Sequence, residues 1–364
     1  MKARPSLLLA IVALTMGPVA AAELDLDDIK LPKGFAIEIY ANVPNARSMT
    51  LGYNDVIFVS NRKQSSVYAV VPSGDANPQV IEIDSGLNMP NGIAFHNGDL
   101  YVAEIERILV YRSIMDRITQ QPAPEEVNVR LPGERHHGWR YIGFGPDGKL
   151  YVAIGAPCNV CERDAEGFAQ IWRMNPDGTA VETFAQGVRN TVGFTWHPDT
   201  GELWFTDNGR DMMGDNEPPD ELNRAARPGL HFGFPYCHAG EIPDPGFGNG
   251  RRCEDFVEPA LQLGPHVAAL GLEFYAGAMF PPEYRGQLFI AEHGSWNRSK
   301  KIGYRVMLVE MEDGVPVSYE PFARGWHKGD RVGGRPVDIA FLSDGSMLVS
   351  DDHGGRIFRI YYEE

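Results

Sequence analysis

Four segments concentrate the side chains that could do chemistry. The first is Arg135-His136-His137-Gly138-Trp139-Arg140, directly ahead of an apolar run. Histidine titrates near neutral pH, so this pair offers a general base. The second is Gly187-Val188-Arg189-Asn190, again ahead of such a run. Arginine presents a planar fork to carboxylates, and asparagine adds a neutral donor. The third stretches from Asp207-Asn208-Gly209-Arg210 through Asp215 to Asp220-Glu221. Its carboxylates, amide and turn carbonyls are the hard oxygen ligands that calcium takes, although the spacing is not that of an EF-hand. The fourth pairs Trp296-Asn297-Arg298-Ser299-Lys300-Lys301 with Gly334-Arg335 and supplies further cations. Each segment alone is equally the mark of a solvated loop. Convergence is what would make them a site, so the elements that carry them decide the matter.

One phrase recurs along the chain and supplies those elements. It reads GPDGKLYVAIG from Gly145, HPDTGELWFTDNG from His197, YRGQLFIAEHG from Tyr284 and LSDGSMLVSDDHG from Leu342. Looser copies are GYNDVIFVSN from Gly52 and HNGDLYVAEI from His96. Each is a tight Asp/Asn/Gly turn feeding a strand. Repetition at roughly 40–85 residues marks a repeat architecture, and six copies predict an all-β, six-bladed β-propeller. FAIEIYANV from Phe35 is expected to pair with RIFRIYYE from Arg356 and close the ring. The connections Ala156–Ala169, Gly209–Gly233 and Phe234–Pro265 are long and expected to shape one face. Arg189, Lys301 and Arg335 are read as equivalent positions on three blades, bringing positive charge to one end of the channel.

Bulk properties narrow the class. Residues 1–22 combine a basic start (Lys2, Arg4), an apolar run from Leu7 to Val19 and Ala20-Ala21-Ala22, the pattern of a cleaved signal peptide. No later stretch approaches the roughly 20 apolar residues of a membrane span. Residues 23–364 are read as a single propeller domain, periplasmic or secreted. Removing two basic residues with the leader leaves 31 basic against 49 acidic residues, a charge of −18. Such an acidic chain lacks the basic footprint that nucleic acid requires. The four cysteines, Cys158, Cys161, Cys237 and Cys253, suit an oxidising compartment. That favours Cys158–Cys161 and Cys237–Cys253 as loop staples over a metal or redox role.

Taken in order, HHGWRYIGFGPDGKLYVAIG, GVRNTVGFTWHPDTGELWFTDNGRD, DELN, EHGSWNRSKKIGYRV and GRPVDIAFLSDG resemble the PQQ-dependent glucose/sorbosone dehydrogenases, soluble aldose-type enzymes, on their sorbosone-dehydrogenase-like branch. The resemblance spans nearly the whole chain beyond the leader. It implies a six-bladed propeller holding PQQ and calcium at the channel end. His137 would be the general base, beside His136. Arg189 and Asn190 would face the quinone oxygens, and Lys301 and Arg335 the PQQ carboxylates. The carbonyls of Gly209 and Arg210 would ligate the PQQ-bound calcium, with Asp220 and Glu221 linked to metal. Asn91 stands next to Pro90, where some members have a glutamine. Val337 replaces a second basic residue. His266 and Trp296 are candidates for the substrate mouth.

The expectation is an oxidoreductase acting on an aldose or aldehyde sugar, passing electrons to an unidentified acceptor. The alternatives are a calcium-dependent sugar lactonase and a non-catalytic binding propeller, since this fold does not fix function.

Overall fold

The computed structural model describes residues 24–74 and 76–363; the expected signal segment, residues 1–22, lies outside them. Six blades, each a four-stranded antiparallel sheet, follow one another around a ring, and the third gains a short fifth strand, Leu230–His231, paired parallel to its outer edge. Blade 1 comprises Met49–Leu51, Ile57–Ser60, Val67–Ser73 and Ala76–Asp84. Blade 2 comprises Gly92–His96, Asp99–Ala103, Ile108–Tyr111 and Glu125–Glu126, and blade 3 Ile142–Phe144, Leu150–Ile154, Gln170–Met174 and Glu182–Gln186. Blade 4 is built from Phe194–Trp196, Leu203–Asp207, Pro219–Ala225 and Leu261–Pro265. Blade 5 uses Ala269–Phe274, Leu288–Glu292, Arg305–Glu312 and Val315–Arg324. Blade 6 takes Pro336–Phe341, Met347–Asp351 and Arg356–Tyr362 from the chain's end, and Phe35–Asn42 from its beginning.

The recurring phrase is the second strand of every blade. Its residues are buried almost throughout and mostly apolar because both faces of the blade are covered. Leu150, Val152 and Ile154 pack toward blade 2, whereas Tyr151 and Ala153 pack toward blade 4. Each pair of neighbouring blades encloses one such apolar cluster, which gives six interfaces around the ring. The first strands crowd the axis. A Cβ on Gly193 would lie 2.1 Å from the Leu270 carbonyl oxygen of the next blade, so no other residue fits there.

Two expectations about connections need correcting. Gly209–Gly233 and Phe234–Pro265 are not wholly loop, because they contain the third and fourth strands of blade 4. Pro219–Ala225 is buried on both faces and shows no alternation of polar and apolar residues, so it carries no strand period to read. Lys301 is also not equivalent to Arg189 and Arg335. It lies between the second and third strands of blade 5, whereas the other two lead into first strands.

Both expected disulfides, Cys158–Cys161 and Cys237–Cys253, are formed. Among the described residues no helix is long and apolar enough to cross a membrane.

The ring closes as the sequence suggests: Phe35 pairs with Tyr362 and Asn42 with Arg356, antiparallel. The Phe35 ring meets Phe280, Phe322, Tyr362 and Tyr284 edge-on, with centroids 4.8–5.3 Å apart, tying the closing strand to blade 5 as well. Phe35→Ala should therefore destabilise the protein by about 3 kcal/mol. Equilibrium denaturation would show this as a lower midpoint.

Candidate active site

In an antiparallel blade, the lead into the first strand and the exit from the second lie at the same end. Six blades therefore place twelve short segments around one mouth of the channel. A cavity of about 510 Å³ opens there. From the leads come Arg47, the His136–Trp139 segment, Arg189, Asn190, His266 and Arg335. From the exits come Arg62, Asn208, Gly209, His293 and Gly294. Trp296, Asp211 and Asp220 also line it.

His137 is buried, and its backbone adopts a left-handed conformation, φ 48°. Two neighbours hold this turn. The fully buried Arg140 donates from Nη1 to the His137 carbonyl, 3.2 Å away. Gly155, at the end of the repeated phrase, leaves space against which the His137 Cβ packs; a Cβ there would come within 2.6 Å of it. The ring nitrogen Nδ1 lies 2.8 Å from the Ala156 carbonyl oxygen. A carbonyl only accepts, so Nδ1 carries the proton and Nε2 keeps its lone pair. Burial first, and then the nearby Arg189 charge, hold the imidazole well below its usual pKa. His137 is therefore a neutral base at neutral pH. His136 is shifted down for the same two reasons.

Arg189 and Asn190 are fixed by blade 4's own second strand. Asp207 accepts their backbone N–H groups at 2.7 and 2.6 Å. The last residue of blade 6's second strand, Asp351, does the same for the Arg335 N–H at 2.8 Å. The Asn190 Oδ1 accepts from Trp139 Nε1 at 3.2 Å.

The opposite wall is built on one carboxylate. Asp352 accepts from Arg47 Nη1 at 2.7 Å, Arg335 Nη2 at 2.8 Å and His293 Nε2 at 3.0 Å. Burial would raise its pKa, but His293, Arg47 and Arg335 together hold it well below the carboxylate range. Arg62 is the exception in this wall: among the described residues its guanidinium has no ion-pair partner and lies 4.6 Å over the Trp139 ring. Burial and the Arg47 charge lower its pKa to about 10. Five arginines but only two carboxylates line the cavity, within a chain of net charge −16.

The expected site residues divide accordingly. His136, His137, Arg189, Asn190, Gly209, Asp220, His266, Trp296 and Arg335 meet in the cavity. Asn91, Lys301, Arg210 and Glu221 are not among its lining residues. Asn91 stands behind the wall, its Oδ1 accepting from Arg47 Nε at 2.7 Å. The Lys301 ammonium lies 5.9 Å from the ring of Tyr304, which does line the cavity. The Arg210 guanidinium is tied to Asp244. Glu221 and Asp207 face a separate, much smaller space, where burial and the Glu221 charge push the Asp207 carboxyl above the usual carboxylate range. Burial and Asp220 raise Glu221 likewise. Asp220 accepts the N–H groups of Gly209 and Ala268 and is raised to about 7 by burial. Sequence reasoning missed Arg47 and Arg62. Their positions were legible, since Arg47 leads into a first strand as Arg335 does, and Arg62 follows a second strand as Arg210 does.

A protein from Borreliella burgdorferi is 35% identical over 360 residues, covering 94% of this chain and 93% of its own. The PQQ domain of a pyranose dehydrogenase from Coprinopsis cinerea, in its holo form, superposes with a TM-score of 0.80 at 18% identity, covering 94% and 98% of the two chains. The calcium structure of a Trichoderma reesei carbohydrate-active enzyme of family AA12 superposes with a TM-score of 0.82 at 18% identity, covering 95% and 99%. These two likenesses establish the shared fold. The family model described as TrAA12-like matches residues 29–363, and the chain belongs to that family.

Proposed function

We propose that this protein is an exported PQQ- and calcium-dependent dehydrogenase that oxidises an aldose, or an aldehyde sugar of the sorbosone kind. The observation that carries this reading is the excess of guanidinium groups over carboxylates around one cavity. PQQ is a flat ortho-quinone bearing three carboxylates, and planar guanidinium forks match carboxylates closely. The residues fit such a group. Arg62, unpaired among the described residues, together with Arg47 and Arg335, would hold carboxylates and replace the charge absent at Val337. Arg189 and Asn190 would stand by the quinone oxygens. Calcium would draw on hard oxygens at Gly209 and its surroundings. Among the described residues no group of three or more His, Cys, Asp or Glu side chains could hold a metal alone. Backbone carbonyls such as that of Gly209, with the cofactor's own oxygens, would supply the shell. A lactonase metal would have no such help, and the arginine-rich wall does not suit it.

When bound, PQQ supplies the acceptor for the hydride leaving the sugar carbon. His137 takes the hydroxyl proton on Nε2, because its Nδ1 is committed to Ala156. Arg140 and Gly155 hold that imidazole in place. Arg189 offers positive charge where negative charge develops, in a site partly closed to water. Trp296, 71% exposed at the rim, gives a sugar ring an apolar face to lie on.

Reconstitution with PQQ and calcium, followed by a panel of aldoses and sorbosone with an artificial electron acceptor, tests the proposal; no turnover on any substrate would reject it. His137→Ala should keep PQQ binding and lower kcat by about 10²–10⁴-fold. The pH profile carries a sign. His137 is active when neutral and its pKa is depressed, so kcat/KM should hold as pH falls until well below 6.5. In Arg189→Gln the repulsion is gone, His137 binds its proton more readily, and the acid limb should move to higher pH. Arg62→Ala should weaken PQQ binding about tenfold, a charged hydrogen bond's worth, with an unchanged melting temperature. A calorimetric titration against PQQ measures it.

A further inference from the structure

The turn closed by the Cys158–Cys161 disulfide plays no part in the chemistry above, yet it grips the arginine at the heart of the cavity. The bridge encloses only Asn159 and Val160. Asn159 is engaged through both its carbonyl and its side chain. Its carbonyl accepts from Arg189 Nε at 2.9 Å, and its Oδ1 accepts from Arg189 Nη2 at 3.0 Å and from the Asp211 N–H at 2.8 Å. Its Nδ2 donates to the Asp211 carbonyl at 3.0 Å. The other partners of the guanidinium are the Asn208 carbonyl at 2.9 Å and the Asp211 carboxylate at 3.2 Å. Asp211 is itself held by Asn159, so most of the receptor for Arg189 is organised by this one residue.

We propose that Asn159, fixed in its turn by the Cys158–Cys161 disulfide, is the positioning residue that sets the place and plane of the Arg189 guanidinium in the cavity wall. Two acceptors from one residue, on adjacent nitrogens of the fork, define a plane as well as a point. A free arginine side chain has several rotatable bonds and considerable rotamer entropy to lose. A short disulfide loop holds its receptor still before the arginine arrives, so that cost falls on folding rather than on ligand binding. The positioning concerns the chain itself. Its consequence, an Arg189 preset beside the quinone oxygens, rests on the proposed function.

The test separates the two. In the protein without cofactor, proton exchange at Arg189 Nε–H, followed by NMR, should be at least about tenfold faster in Asn159→Ala than in the unaltered protein, given the worth of a charge-assisted hydrogen bond. Asn159→Asp, which keeps the Oδ1 acceptor, should restore most of the protection. Should Asn159→Ala fail to fold, Cys158→Ser/Cys161→Ser carries the same readout. Unchanged exchange in the folded variant overturns the proposal. If exchange quickens while PQQ fails to bind even the unaltered protein, the positioning stands and the proposed function falls. If both hold, Asn159→Ala should also weaken PQQ binding about tenfold, while Asn159→Asp does not.

Discussion

The pairing of Phe35–Asn42 with Arg356–Tyr362 is the constraint on which the rest depends. No blade covers both of its own faces, and each apolar cluster is shared between neighbours. A missing closing strand would expose the aromatic packing of Phe35 against Phe280, Phe322 and Tyr284. It would also leave the edge of Arg356–Tyr362 with unpaired backbone groups. The consequence reaches the cavity. Arg47 follows the closing strand, and its partner Asp352 precedes the strand that pairs with it. Closure brings that cation and that carboxylate together across the whole length of the chain.

The cavity is a balance of like charges held close together. Arg47, Arg335 and His293 share one carboxylate, Asp352, in a buried setting. Removing one partner from a buried ionic group costs several kcal/mol, because the remaining charges lose compensation. The wall is thus rigid where its charges are matched and open to an anion where they are not, at Arg62. On the facing side, burial first and then the Arg189 charge depress the pKa of His137. Arg189 thereby helps to keep the base neutral and stands ready for negative charge that forms elsewhere. A polyanionic quinone and a proton-removing imidazole place compatible demands on this arrangement.

Much of this was legible in the sequence, for physical reasons. The second strands repeat because they are buried on both faces and begin in a tight turn, so composition and spacing are both constrained. His137, Arg189 and Arg335 stood out because each leads into a first strand just ahead of a clear copy of the repeat. Arg47 leads into a first strand as they do and Arg62 leaves a second strand, but both lie next to a loose copy of the repeat, GYNDVIFVSN, where the pattern is faint. Lys301 was misread because charge alone does not tell a lead into a first strand from a loop before a third. The role of Asn159 could not be read at all. It depends on a disulfide turn reaching the next blade's arginine, a contact with no local signal.

The central claim is that the arginine-rich mouth of the channel holds PQQ with its quinone edge toward His137. A crystal structure of the complex with PQQ and calcium tests it most directly. The account predicts one PQQ per chain in this cavity, its carboxylates on Arg47, Arg62 and Arg335 and its quinone oxygens beside Arg189 and Asn190. The His137 Nε2 should face the open space next to the quinone carbon. PQQ bound outside the cavity, or with its quinone edge on Arg62 and a carboxylate against His137, would contradict it.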